Sequence, residues 1–532
     1  MKKCTAALGV LMISLMIPAC SSDEPSLGPF YSVGGVVSGL TGTVVLQNNG
    51  ADDLTITANG SFTFAGSAGP GSSYAVTVLA NPASQTCVVS NGTGTVLISP
   101  VTNVSLSCFA RGGLDVTFHA PDGFLVQDNA AGGAADDAGI AVAVDSRGRL
   151  LVAGSSMNIA GNRDMAVWRF TPAGTLDTTL NSTGIVVHDS AAGGAGDDSG
   201  KAVAVDSLGR ILVTGSSTTA GGATEMVIWR YLDGGTPDMG FSGNGIVSAA
   251  AGTGSASGNG IAVDTQDKVL VTGSTTTAAG TTEMAVWRFN ANGTVDTAFS
   301  GDGMVSTAVG TGNASGNAIA IDPQGKVLVA GSSTGNPGSR GMVVWRFNTN
   351  GTLDTTFSLD GIYVINGAAG GTGDDVGSAI TVDALGRVLV AGSSVNSAGN
   401  RDMVVWRLTS AGAPDTTFNG TGTVISNGAA GSDGDDSGNG IAIDSQGRII
   451  VAGSSTNVAG NRDMVIWRLN PNGTMDISFA AGGIAVHGNA AGGDADDSGS
   501  AITVDSQDRI LVTGSSVNSA VNSDMVLWRV FP

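Results

Sequence analysis

The chain has 532 residues, with 44 acidic against 23 basic side chains and a formal net charge of −21. That balance, with no Lys/Arg cluster to offset it, repels phosphate backbones and excludes nucleic acid as the partner. With 83 glycines and three histidines, His119, His188 and His487, the composition is that of a turn-rich chain poorly supplied for His-based catalysis or metal ligation.

Lys2 and Lys3 precede an apolar run from Thr5 to Ala19, too short to span a bilayer and laid out as an export signal over residues 1–19. Ile17-Pro18-Ala19-Cys20 resembles a bacterial lipobox, which implies that Cys20 is lipidated, becomes the first mature residue and anchors the chain to a membrane. In that pattern an Asp after the cysteine implies inner-membrane retention; Ser21 stands here, so the resemblance points to the outer membrane. An ordinary secretory signal cleaved near Ala19 is the alternative. Residues 20–30, with Pro25, Gly28 and Pro29, read as a flexible tether. Cys4 leaves with the signal and Cys20 is lipidated, so Cys87 and Cys108 remain as an expected disulfide in an oxidising compartment.

From Tyr31 to Cys108, stretches such as DLTITANGSFTFAG and SYAVTVLA alternate apolar and polar residues between Gly, Asn and Ser turns. Residues 31–108 are read as one small β-sandwich, similar to the immunoglobulin-like or carboxypeptidase-regulatory-like modules of bacterial surface proteins.

Residues 109–532 repeat. An Asp recurs at 145, 206, 264, 322, 383, 444 and 505, with spacings of 61, 58, 58, 61, 61 and 61 residues. Each unit has an apolar stretch before that Asp, a tight turn such as DSRGR, a second stretch such as LLVAG, a polar loop, a third stretch such as DMAVWRF, and a short closing GIVV. Four strands in about sixty residues predict a propeller blade. The last unit stops after its third strand at Trp528, whereas residues 112–127 carry a spare third-to-fourth turn and a fourth strand. Residues 123–127 are therefore expected to complete the last blade and close a ring of seven, leaving no free edge. The fold class is thus all-β, an N-terminal small β-sandwich followed by a seven-bladed β-propeller. Units such as GIAIDSQGRIIVAGSSTNVAGNRDMVIWRLNPNGTMDISF resemble the bacterial delta-60 repeat, akin to NHL-type blades. That resemblance implies a propeller on an exported bacterial protein and supplies no catalytic residues.

All seven tryptophans are followed by Arg. In DMVVWRL, strand alternation sends Val404, Trp406 and Leu408 to one face and Met403, Val405 and Arg407 to the other. The Trp is expected to fill the wedge between sheets, and Arg407 to pair with Asp354 or Asp415. The Asp opening each DSRGR-type turn is expected to cap backbone N–H groups.

Variation concentrates on the second-to-third and fourth-to-first connections. Five of the fourth-to-first loops are three residues longer and carry an acid pair: Asp136 and Asp137, Asp197 and Asp198, Asp374 and Asp375, Asp435 and Asp436, Asp496 and Asp497. The two loops around Ser255 and Asn313 are neutral. Three readings compete for this acidic arc. The carboxylates cap loop N–H groups and pair with Arg163, Arg401 or Arg462; or they bind Ca²⁺, the candidate cofactor, through hard oxygen ligands; or they recognise a cationic or hydroxyl-rich partner. No Ser-His-Asp or metal-ligand grouping can be assembled, and an acid pair in five blades singles out no catalytic pair. The chain is therefore expected not to be an enzyme but a monomeric binding or display scaffold for an envelope protein or polysaccharide. The alternative is a calcium-stabilised, carbohydrate-active or other extracellular enzyme using loop carboxylates.

Overall fold

The computed structural model describes residues 29–250, 254–310, 312–335 and 338–532. The signal, Cys20 and most of the tether lie outside the described residues. The described residues form β-strands joined by turns and no α-helix.

The chain divides into two units, one ending at Pro82 but also including Cys87–Cys108, the other made of Ala83–Thr86 and Phe109–Pro532. The first holds two four-stranded sheets. One runs in the order Gly60–Ala68, Tyr31–Ser38, Val101–Ala110, Gln85–Ser90; the other in the order Asp52–Ile56, Val44–Asn48, Ser73–Ala80, Thr93–Thr95. Alternation along these strands places Val33, Val37, Leu46, Phe62, Phe64 and Leu106 in one shared core. Cys87 and Cys108 are disulfide-bonded within that core. The 21-residue separation makes this link worth about 3 kcal/mol through the constrained unfolded chain.

The second unit is a β-propeller. Seven four-stranded sheets succeed one another along its described residues. In the sheet richest in the quoted motifs the strands are Gly370–Val382, Val388–Asn396, Arg401–Leu408 and Thr423–Ser426, in spatial and chain order alike. The first strand of each sheet packs against the first strands of its neighbours, including Gly132–Val144 against Gly492–Val504, so these are the inner strands around an axis. The last sheet takes its outer strand from the far end of the unit: Phe124–Gln127 pairs antiparallel with Ser523–Val530, Phe124 opposite Trp528. Arg529 Nε reaches Asp115 at 2.7 Å in the same closure.

The Trp-Arg marker has a packing cause. Trp406 lies with Val404 and Leu408 in a cluster that includes Leu328, Met342 and Val344 of the preceding sheet, while Met403 and Val405 join Trp467 in the next cluster. Each ring therefore fills the wedge between successive sheets, and burying it removes a large apolar surface from water. Arg407 turns to the end of the sheet, pairs with Asp415 at 2.8 Å and not with Asp354, and stacks 4.4 Å over the Phe418 ring. Asp354 is held instead by Arg346 at 2.8 Å and Lys326 at 2.6 Å.

The acidic stretches differ from expectation. They are not loops: in five sheets the inner strand runs through them, as in Gly370–Val382, and pairs Asp375 with Ser394 and Gly370 with Asn396. The inner strands over the neutral stretches, Ala256–Val263 and Ala314–Ile321, are shorter. The three extra residues let the chain turn back along the second strand, with a register break between Gly370 and Asp375. A second break, at Gly377, brings Gly392 so close that a Cβ there would meet the Val376 carbonyl oxygen at 1.8 Å, which is why this position of the second strand holds Gly in every sheet.

Candidate binding face

The two ends of the sheets are chemically distinct. At one end Asp145 Oδ1 accepts the N–H groups of Arg147 and Arg149, and Arg149 and Arg169 converge on Asp177. This is the turn capping expected of the repeated Asp, joined to a repeated ion-pair layer. Its inter-sheet notches include one of about 550 Å³ lined by Asp264, Lys268, Arg288 and Asp322, and the notch at Asp383 and Asp444 repeats that design.

The acid pairs lie at the opposite end, and the two members of each pair do different work. The first reaches back to the preceding sheet: Asp197 Oδ1 accepts the Arg163 N–H at 2.9 Å, Asp374 that of Arg340, Asp435 that of Arg401, Asp496 that of Arg462, and Asp136 that of Ser523. The second is buried and caps its own turn. Oδ2 of Asp137 accepts the Asn129 N–H at 2.9 Å, and Asp198, Asp375, Asp436 and Asp497 accept from Ser190, Gly367, Gly428 and Asn489. Burial pushes Asp137 up to about 6 and raises Asp198, Asp375, Asp436 and Asp497 in the same direction, against those N–H bonds. The neutral connections keep the first function without charge, since Ser255 Oγ and Asn313 Oδ1 accept the N–H groups of Thr224 and Thr282. The paired residues thus point to separate caps; among the described residues no group of three or more His, Cys, Asp or Glu side chains is placed to hold a metal ion. Of the pairings with Arg side chains, Arg163 Nη2 meets Asp136 at 3.4 Å, within its own sheet.

A cavity of about 460 Å³ opens on this face across three successive sheets. Asp136, Asp197 and Arg163 stand at its rim, Ala138, Ile140 and Ser199 of the inner strands line it, and Ser155, Ser216, Ser515, Ser523 and Thr224 add hydroxyls. Ser155, Ser216 and Ser515 belong to the GSS that recurs in the second strand, a polar interruption where apolar residues would be expected, whereas Ser523 opens a third strand. His188 and His487 end the outer strands of different sheets, and burial lowers the pKa of both.

A family model described as a β-propeller domain of unknown function (DUF5122) matches residues 148–180, 209–241, 267–299, 323–357, 386–418 and 445–479. Each stretch runs from the turn before the second strand to a buried Leu or Phe beyond the third, such as Leu180 or Phe241. No curated protein sequence matches the chain. Among solved structures, an ulvan lyase from a new polysaccharide lyase family is 11% identical with a TM-score of 0.40, over 74% of this chain and 94% of the other. A thermostable family-43 glycoside hydrolase is 10% identical with a TM-score of 0.28, over 51% and 88%. An exo-1,5-α-L-arabinanase from a bovine ruminal metagenomic library is 11% identical with a TM-score of 0.26, over 51% and 91%. No activity passes to this chain from likenesses so distant. The expectation that the chain is not an enzyme is withdrawn, because these neighbours are themselves enzymes. What the chain is similar to, by repeat and by sheet order together, is the DUF5122 β-propeller.

Proposed function

We propose that the chain is a delta-60-type lipoprotein, anchored to the outer membrane through Cys20, with a small β-sandwich and a seven-bladed propeller whose acid-pair face binds a hydroxyl-rich envelope or extracellular polysaccharide. The observation that carries the binding reading is the cavity of about 460 Å³. Hydroxyls that both donate and accept, carboxylates that accept and one guanidinium that donates form the complement of a surface dense in sugar hydroxyls. Arg163 supports the reading further, because its side chain is 45% exposed at the rim and its contact with Asp136 is long, leaving donors for a ligand.

Affinity electrophoresis through gels cast with dextran, polygalacturonate or lipopolysaccharide tests this. At least one gel should retard the protein, and Arg163→Ala should weaken that retardation by about tenfold, the worth of one hydrogen bond to a charged group. Equal mobility in all three gels and in an empty gel would end the polysaccharide reading. New reducing ends in the retarding gel would show that binding leads to cleavage. The anchor has its own test: Cys20→Ala should move the protein from the membrane to the soluble fraction, and a variant that still sediments and resists carbonate extraction removes that part of the proposal.

A further inference from the structure

Lys201 stands apart from the other basic groups of the propeller. It occupies the inner strand Gly193–Val205, at the position taken by Ile140 in the preceding sheet, one of the residues lining the cavity around the axis. Its Nζ donates to Ser257 Oγ at 2.7 Å and approaches Asn259 Oδ1 at 3.4 Å, both on the next inner strand. Asn259, Asn317 and Asn439 hold equivalent places and tie each inner strand to the next by donating to the carbonyls of Gly316, Gly377 and Gly499. An uncharged amide is therefore enough to join neighbouring sheets here, and Lys201 adds a charge that this joint does not need.

No described carboxylate lies within ion-pair distance of Lys201, whereas Lys268 and Lys326 each hold one, in a chain with 44 acidic against 23 basic residues. Burial lowers its pKa and no neighbouring acid opposes that shift. A half-buried ammonium without a counter-charge costs stability, and perturbed ionisable groups of this kind gather where ligands bind. We propose that Lys201, with the Ser257 hydroxyl beside it, forms an anion site on the axial wall of the propeller that takes one carboxylate or sulfate group. Two of the three ammonium donors go to Ser257 and Asn259, which leaves one for the anion, and the Ser257 hydroxyl, which donates to Asn259 Oδ1 at 3.1 Å, turns its proton to the anion by exchanging that bond. The site does not depend on the polysaccharide reading, because a free anion probes it alone.

Scanning calorimetry on the full chain, in sodium sulfate and in sodium glucuronate at ionic strength matched with sodium chloride, tests the proposal. The wild type should show a melting shift that saturates with the anion, and Lys201→Met should lose the saturating part while keeping the general salting-out increment of sulfate. Lys201→Arg should retain it. A shift with sulfate alone assigns a free inorganic anion, and a shift with glucuronate assigns the carboxylate of an acidic sugar. Binding should weaken by about tenfold to a hundredfold in Lys201→Met. Should that variant fail to fold, Lys201→Gln, which copies the neighbouring amides, takes its place. No saturating shift with either anion, or the same shift in wild type and the uncharged variant, overturns the site.

Discussion

Replacing Arg529 by Met is expected to lower the unfolding free energy by about 3–5 kcal/mol, the effect of removing one partner from a buried ion pair. Arg529 and Asp115 are 2% and 1% exposed, and the pair joins residues 414 apart in sequence. The guanidinium also stacks 4.5 Å over Phe118 and donates to Thr117, so its loss strips the turn that leads into the closing strand Phe124–Gln127. Asp115 would be left buried without its cation. Removing residues 112–130 altogether should be more severe: the strand Ser523–Val530 would lose its partner, and an exposed edge invites aggregation. Denaturant melts followed by circular dichroism, with light scattering for aggregation, measure both. A deletion variant with an unchanged melt would show that the ends do not close the ring.

The second large effect is expected at Asp354. It is 3% exposed and lies between two cations, Arg346 Nε at 2.8 Å and Lys326 Nζ at 2.6 Å, with the Thr356 N–H and hydroxyl on its other oxygen. Asp354→Ala should therefore cost about 3–5 kcal/mol, since it leaves two facing cations and removes the cap of the turn. Burial alone would raise this carboxyl, but Lys326, Thr356 and Arg346 override burial and hold it far below the usual carboxylate range. The same direction holds at Asp177, Asp296, Asp415 and Asp476, whose pKa values are lowered by the equivalent partners. A folded-state pKa below the unfolded one gives stability that is present above the unfolded value, about 3.9, and lost as pH falls through the folded value. The wild type should thus lose stability steeply below about pH 4, and Asp354→Ala should lose less over that window. Equal acid sensitivity in the two proteins would mean that the Asp354 site contributes nothing to it.

Much of this architecture is written in linear order. The recurring Asp, the Trp-Arg pair and the complementary ends are properties of period and alternation, and these survive whatever the sheets pack against. A large ring once per unit on one face of a strand has few places to go but the wedge between sheets, and Trp406 packs there against Leu328, Met342 and Val344. The pairing of Phe124 with Trp528 was legible for a similar reason: one unit lacked a strand that another segment had to spare.

The acid pairs show where linear reading stops. Their joint appearance with three extra residues was plain, but their partners are set by the packing of one sheet on the next. Asp197 reaches Arg163 N–H across a sheet boundary, 34 residues away, and the adjacent Asp198 points elsewhere because successive residues of a strand face opposite ways. The same stretch became strand instead of loop only because the second strand extends alongside it. The serines of the cavity and the isolated charge of Lys201 belong to the same class. The repeat, the strand order and the buried positions follow from hydrophobic period alone. Which polar groups converge does not follow from period, because convergence depends on inner strands from different sheets meeting around one axis.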